Sequence, residues 1–243
     1  MGAHRTRPGT VRLAVVIPWR SSGDPDREAN AAHVVDHYQR LDLGPVIVTD
    51  DGRSSGHFNR SAAYNRGLAQ TDADVILWVE ADTLLPADQI TTAAHLAHDA
   101  PGIVIPYTER HELDPTQTAR VHAGTVDPFT LHGAAAIYPG GSSIGQAGVT
   151  SRHTLDLIGG RWDDGYEGWG YDDNGMLHIF ETLAGRTRWV EGKGIHLWHQ
   201  PGYVSPSPEQ AAATARNAAR FHYMRTLCGE ELRAWLLRAS PTH

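Results

Sequence analysis

The sequence predicts an α/β protein with a mostly parallel central sheet flanked by helices and a helical C-terminal tail. Three observations carry this. Strand and helix patterns alternate through the first half of the chain. Residues 75–79 read VILWV, apolar throughout, as a parallel strand covered on both faces does. From residue 208 onward the composition turns alanine-rich and helical.

Each element has its own signal. Residues 13–17 form a short β-branched run stopped by Pro18. Residues 26–41 place Ala29, Ala32, Val35 and Leu41 broadly on one helical face. A strand over 45–49 leads into the turn Asp50-Asp51-Gly52, and 58–70 reads as a second helix. After the strand at 75–79 come a helix over 86–98 and a strand over 103–105. Residues 107–152 are rich in Gly, Pro, His and Thr and predict loops and short strands. A short helix is expected at 154–158, then a glycine- and aromatic-rich loop to Gly170. Residues 172–183 form a helix whose first-turn acids suit its dipole, and 188–190 a strand. The tail over 208–238 is interrupted near Cys228-Gly229. Phe221, Tyr223, Leu227, Trp235 and Leu236 in it need burial, so it packs on the main body.

Composition bounds the function. The 243 residues suffice for one domain with a real core and no disulfide staples. A lone cysteine, Cys228, fits a reducing compartment. The net charge of −7 argues against a general nucleic-acid binder. No apolar stretch reaches membrane-spanning or signal length, so the chain reads as cytoplasmic with no membrane span.

In parallel sheets, ligands bind beyond the carboxyl ends of the strands. Pro18-Trp19-Arg20, Asp50-Asp51 and Glu80-Ala81-Asp82 should therefore converge on one edge. Glu80 and Asp82, two residues apart after the buried strand, can aim at one divalent cation; Mg²⁺ or Mn²⁺ suits such oxygen ligands. In isolation an acid-x-acid pair is more often two solvated acids. The segment FNRSAAYNRG, residues 58–67, puts Arg60 in the first turn of a helix. There it can contact phosphate, hold the metal-binding loop, or be a plain surface arginine.

The segment GYEGWGYDDNG, residues 165–175, flanks Trp169 with glycines, so the loop can move and the indole can lie flat on a sugar face. Asp172 and Asp173 follow at a helix N-terminus. One can hold acceptor hydroxyls while the other takes the proton from the attacking one; the plain alternative is acids that complement the dipole. In GIHLWHQP, residues 194–201, His196 and His199 lie at i and i+3. In an extended segment they point to opposite sides, so one of them is expected to complete the metal site, and a histidine favours Mn²⁺.

In this order, Pro18-Trp19-Arg20, FNRSAAYNRG, VILWVEAD, AGVTSR, GYEGWGYDD and GIHLWH resemble the beta-1,4-galactosyltransferases and their bacterial relatives. The C-terminal part is similar to the related module of polypeptide N-acetylgalactosaminyltransferases. The resemblance runs in patches from about residue 13 to about 201, and FNRx₄NxG and GWGxDD are its most specific pieces. It implies a GT-A fold over 1–243: a nucleotide-binding half over about 11–105, an acceptor and catalytic half over about 106–200, and the tail from 201.

The resemblance also implies roles. Pro18, Trp19, Arg20 and Asp50 would line the nucleotide site, with Phe58 and Arg60 at the uridine and diphosphate. Asp82 and His196 would hold the metal, with Glu80 near the ribose or metal and His199 a further possible ligand. Gly148 would lie against the donor sugar and Trp169 would be the mobile-loop aromatic. Asp173 would be the catalytic base and Asp172 its sugar-binding neighbour. The motif reads EAD where the family has DVD, Tyr171 stands where a glycine is usual, and no sulfur ligand precedes His196. The expected activity is a metal-dependent, inverting transfer of galactose, N-acetylgalactosamine or glucose from a UDP-sugar to an acceptor of unread identity. The rival readings are a retaining transfer and a catalytically silent sugar- or nucleotide-binding module.

Overall fold

A computed structural model of the chain describes residues 11–137, 144–200 and 206–239. The strands are β1 (Leu13–Pro18), β2 (Val46–Thr49), β3 (Val75–Val79), β4 (Thr83–Leu84), β5 (Val104–Ile105), β6 (Glu109–Glu112), β7 (Ala134–Ile137), β8 (Ala147–Ser151), β9 (Arg188–Trp189) and β10 (Lys193–His196). The helices are α1 (Pro25–Leu41), α2 (Arg60–Leu68), α3 (Ala87–Asp99), α4 (Pro115–His122), α5 (Arg152–Leu157), α6 (Asp172–Leu183), α7 (Pro208–Met224) and α8 (Gly229–Ala239).

Six strands form the central sheet in the order β2-β1-β3-β8-β5-β9. β1 pairs parallel with β2 and β3, and β5 parallel with β9; β8 runs antiparallel to both its neighbours. The predicted mostly parallel sheet is therefore present, with one reversed strand inside it. Every residue of β1 and β3 is buried, as their apolar runs require. Full burial of each Val, Leu or Ile there contributes about 1.5–3 kcal/mol. Gly67 lets α2 lie close on this sheet, since a Cβ there would collide with the Val16 side chain.

A second sheet, β4-β10-β6-β7, stands beside the first. Two of its strands, β6 and β7, lie in the region predicted as loops and short strands, as does α4, which the sequence reading missed. Asp114 and Gln117 cap α4 reciprocally, and Pro115 occupies its first turn.

An aromatic cluster joins α2, β3 and α6. Tyr64 and Trp78 have ring centroids 5.2 Å apart, Trp78 and Trp162 likewise 5.2 Å, and Trp162 and Phe180 5.7 Å. α7 and α8 pack on α6. Arg220 of α7 fastens them, lying over the Trp235 ring at 4.3 Å and pairing with the buried Asp163 at 2.5 Å. Among the described residues no helix is long and apolar enough to cross a membrane.

Candidate active site

β3 ends at Val79, and the chain turns through Glu80-Ala81-Asp82 into β4. β10 pairs antiparallel with β4, His196 opposite Thr83. This register delivers His196 to Asp82, with Nε2 3.6 Å from Oδ1. The strand ends there and the chain is pinned in a new direction. Leu197 N–H donates to the Asp82 carbonyl at 2.8 Å, Trp198 N–H to the Thr118 hydroxyl at 2.9 Å, and Asn30 Nδ2 to the Trp198 carbonyl at 2.9 Å. The bend brings His199 back, with Nε2 3.1 Å from Asp82 Oδ2. The expectation that only one histidine faces the carboxylate is thus corrected. Alternation holds within a strand, and His199 lies outside β10.

One ligand atom each from Asp82, His196 and His199 lies within 4.8 Å of the others. Each ring's Nδ1 is already engaged. That of His196 lies 2.6 Å from Glu112 Oε2, and that of His199 3.1 Å from the Gln200 carbonyl. Such contacts fix the tautomer and leave Nε2 free to ligate, as in metal-binding histidines generally. One carboxylate oxygen and two imidazole nitrogens suit Mn²⁺ better than Mg²⁺, so the residues present fit a divalent ion. Burial acts to lower the His196 pKa, but Asp82 and Glu112 outweigh it and push it up to about 10. The same histidines hold the Asp82 carboxyl well below its usual range despite its burial.

Glu80 faces elsewhere: its carboxylate pairs with Arg60, not with the Asp82 cluster. Arg60 also pairs with Asp172 at 2.6 Å and with Asp173. It is no surface arginine, with its side chain 19% exposed. Burial opposes its charge, but Asp172 and Asp173 more than compensate and raise its pKa. Tyr64 is within electrostatic reach of Arg60, Asp172, Asp173 and Asp82, so the two clusters lie near one another. Arg60, Gly148 and Asp173 line a small pocket there with Gln146 and Trp162. Gly148 sits on β8 opposite Trp78.

At the end of β1, Pro18 pairs with Thr49, and Trp19 N–H donates to the Thr49 carbonyl at 2.8 Å. Arg20 is engaged with the loop after β2. It bonds Asp51 at 3.0 Å and the Gly56 carbonyl at 2.6 Å, and it lies over the Phe58 ring. Asp50 is exposed on the turn, near Arg66 at 3.4 Å, while its neighbour Asp51 is the buried acid and accepts the Asn59 N–H. The indole of Trp169 is 62% exposed. Its loop is nevertheless fastened to α7. Asn217 donates to the carbonyls of Glu167 and Gly170 at 2.9 and 3.0 Å and accepts the Glu167 N–H, while Thr214 donates to the Trp169 carbonyl. Glu112, Gln146 and Asn217 were missed in the sequence, and Asp51 was named only with Asp50 at the sheet edge. Within the expected acceptor and catalytic half, residues 138–143 lie outside the described residues.

No protein-family model matches the chain. No curated protein matches it either. Solved structures do. A Drosophila beta-1,4-galactosyltransferase 7 mutant in complex with manganese, UDP-Gal and xylobiose is 14% identical. It aligns over 84% of this chain and 79% of its own, with a TM-score of 0.54. Glucosyl-3-phosphoglycerate synthase from Mycobacterium tuberculosis, with Mn²⁺, UDP-glucose and phosphoglyceric acid, is 16% identical over 91% and 86%, with a TM-score of 0.51. GalNAc-T7 with UDP, GalNAc and Mn²⁺ is 13% identical with a TM-score of 0.54. The match spans 88% of this chain and 48% of GalNAc-T7. The chain therefore has the GT-A glycosyltransferase fold, as the motifs implied. At these identities the likeness extends to the fold alone.

Proposed function

We propose that this chain is a metal-dependent glycosyltransferase moving a hexosyl group from a UDP-sugar to an acceptor hydroxyl with inversion. The donor sugar is galactose, N-acetylgalactosamine or glucose. The observation that carries the reading is the pair His196 and His199, each with Nδ1 engaged and Nε2 turned to Asp82. Asp82, His196 and His199 would hold Mn²⁺, with Mg²⁺ as a weaker substitute. A bound divalent ion neutralises charge on the diphosphate as it leaves. The solved neighbours named above were determined with manganese and UDP or a UDP-sugar, which supports the same donor class here.

The chain's own residues divide the remaining work. Arg60 holds Asp172 and Asp173 in place by pairing with both. Asp173 takes the acceptor hydroxyl proton while that oxygen bonds to the anomeric carbon. The bond from that carbon to the diphosphate oxygen breaks, and its electron pair leaves with UDP. Asp172 hydrogen-bonds acceptor hydroxyls. Trp169 offers an apolar face to the sugar and helps exclude water. Pro18, Trp19, Arg20, Asp51 and Phe58 shape the nucleotide side, Arg20 through the loop it holds.

Calorimetry with UDP and UDP-sugars, with and without Mn²⁺, tests the binding. Nucleotide binding that strengthens with Mn²⁺ in the wild type and not in Asp82→Ala is expected; equal binding in both overturns the metal assignment. Product configuration by NMR tests the displacement, and a retained anomer overturns inversion.

A further inference from the structure

Gln146 enters β8 with a backbone φ of 85°, a conformation that non-glycine residues rarely adopt. It is locked from both sides. Glu80 N–H donates to its carbonyl at 2.8 Å, and its own N–H donates to Glu80 Oε1 at 3.3 Å. The preceding carbonyl, that of Gly145, accepts the Tyr107 hydroxyl at 2.5 Å. The residue is 7% exposed, and its side-chain carbonyl Oε1 is buried with no hydrogen-bond partner among the described residues. A buried acceptor left unpaired is costly and uncommon, so its retention calls for a donor from outside.

The pocket it lines defines that donor. Arg60, Gly148 and Asp173 border the same space, and Arg60 is engaged by three carboxylates. The space is small, about 10 Å³, on the scale of one hydroxyl or water-sized group. A carbonyl oxygen accepts only, and a diphosphate has no proton to donate. We infer that Gln146 reads the donor sugar, its Oε1 accepting a hydrogen bond from one hydroxyl of the transferred hexosyl group. This rests on the reading of the chain as a UDP-hexose transferase.

The test compares UDP with UDP-galactose, UDP-glucose and UDP-N-acetylgalactosamine by calorimetry with Mn²⁺, in the wild type and in Gln146→Gly. Glycine adopts the positive φ freely, so the backbone is retained while the amide is lost. The preferred UDP-hexose should bind about tenfold more weakly to Gln146→Gly, the worth of one hydrogen bond, while UDP affinity stays unchanged. A second arm uses the wild type alone with monodeoxy analogues of the preferred donor. One of them should show the same tenfold loss. A folded Gln146→Gly with undiminished UDP-hexose affinity overturns the inference, and so does a full set of monodeoxy donors that bind like the parent. If the wild type binds neither UDP nor any UDP-sugar with Mn²⁺, the transferase reading itself falls.

Discussion

Glu112 and His196 are joined at 2.6 Å through Nδ1, on the side of the ring away from Asp82. β6 and β10 run parallel with these two residues in register, so the contact is built into the second sheet. Glu112→Ala should weaken Mn²⁺ binding by roughly 10- to 100-fold, the usual effect of removing a carboxylate behind a ligating histidine. Manganese titration followed by calorimetry measures this. Unchanged affinity would mean that the ring is oriented by its backbone alone.

Arg60→Ala should do more than weaken nucleotide binding. It leaves Glu80, Asp172 and Asp173 facing one another with their shared cation gone. Removing one partner of a largely buried ion pair costs about 3–5 kcal/mol. Urea unfolding should show a loss of that order. A variant as stable as the wild type would place the three acids in solvent.

Asp173→Asn keeps the size of the side chain but cannot accept a proton. Turnover should fall about a hundredfold or more, while UDP-sugar affinity with Mn²⁺ stays near wild type. Asp172→Asn should mainly weaken acceptor binding. Initial rates beside calorimetry separate the two, and normal turnover in Asp173→Asn would assign the base elsewhere.

The pH dependence of stability has two sides. Burial lowers the pKa of His33, His37 and His122 in the folded chain, and repulsion between His33 and His122 adds to this at His33. Asp36 near the first two and Asp26 near the third offset only part of it. The unfolded chain therefore binds more protons once pH falls below about 6.5, and stability drops with it. His196 acts the other way. Pushed up to about 10, its stabilisation is full below about pH 6.5 and is lost as pH rises through 10. Chemical unfolding of the metal-free protein from pH 5 to 10 should trace a maximum near neutrality. His33→Gln with His122→Gln should flatten the acid limb; an unaltered limb would assign it to other groups.

Asn217→Asp removes the two N–H bonds to the carbonyls of Glu167 and Gly170 and sets a carboxylate against them. Amide exchange across 167–171 should quicken while that of β1 stays slow. Equal protection in both proteins would show that the remaining contacts, the Thr214 hydroxyl on the Trp169 carbonyl among them, suffice to fasten the loop.

Strands β1, β2, β3 and β5 of the central sheet were legible because their apolar runs announce burial, VILWV above all, while β8 lay in the stretch read as loops and short strands. The second sheet was not: β6 reads ERHE, with no apolar residue to mark a buried face. α4 did carry a signal, Asp114-Pro115 followed by Gln117, but it lay in a glycine- and histidine-rich stretch read as loops. The residue types at the site could be named from the motifs, while their partners could not. Arg60 lies more than a hundred positions from Asp172 and Asp173 along the chain, and their pairing follows from how α2 and α6 meet at the cleft. The return of His199 depends on Asn30 and Thr118, which no local pattern ties to it.

Trp78 and Trp162, 5.2 Å apart and inclined at 63°, lie against the wall that holds Arg60, Gln146 and Asp173. Two indoles this close and tilted couple electronically, so their near-ultraviolet circular dichroism reports their mutual angle. The protein thus carries its own optical gauge of the cleft. A group entering the pocket that moved Trp162 by a fraction of an ångström would register in the spectrum without any label or any turnover.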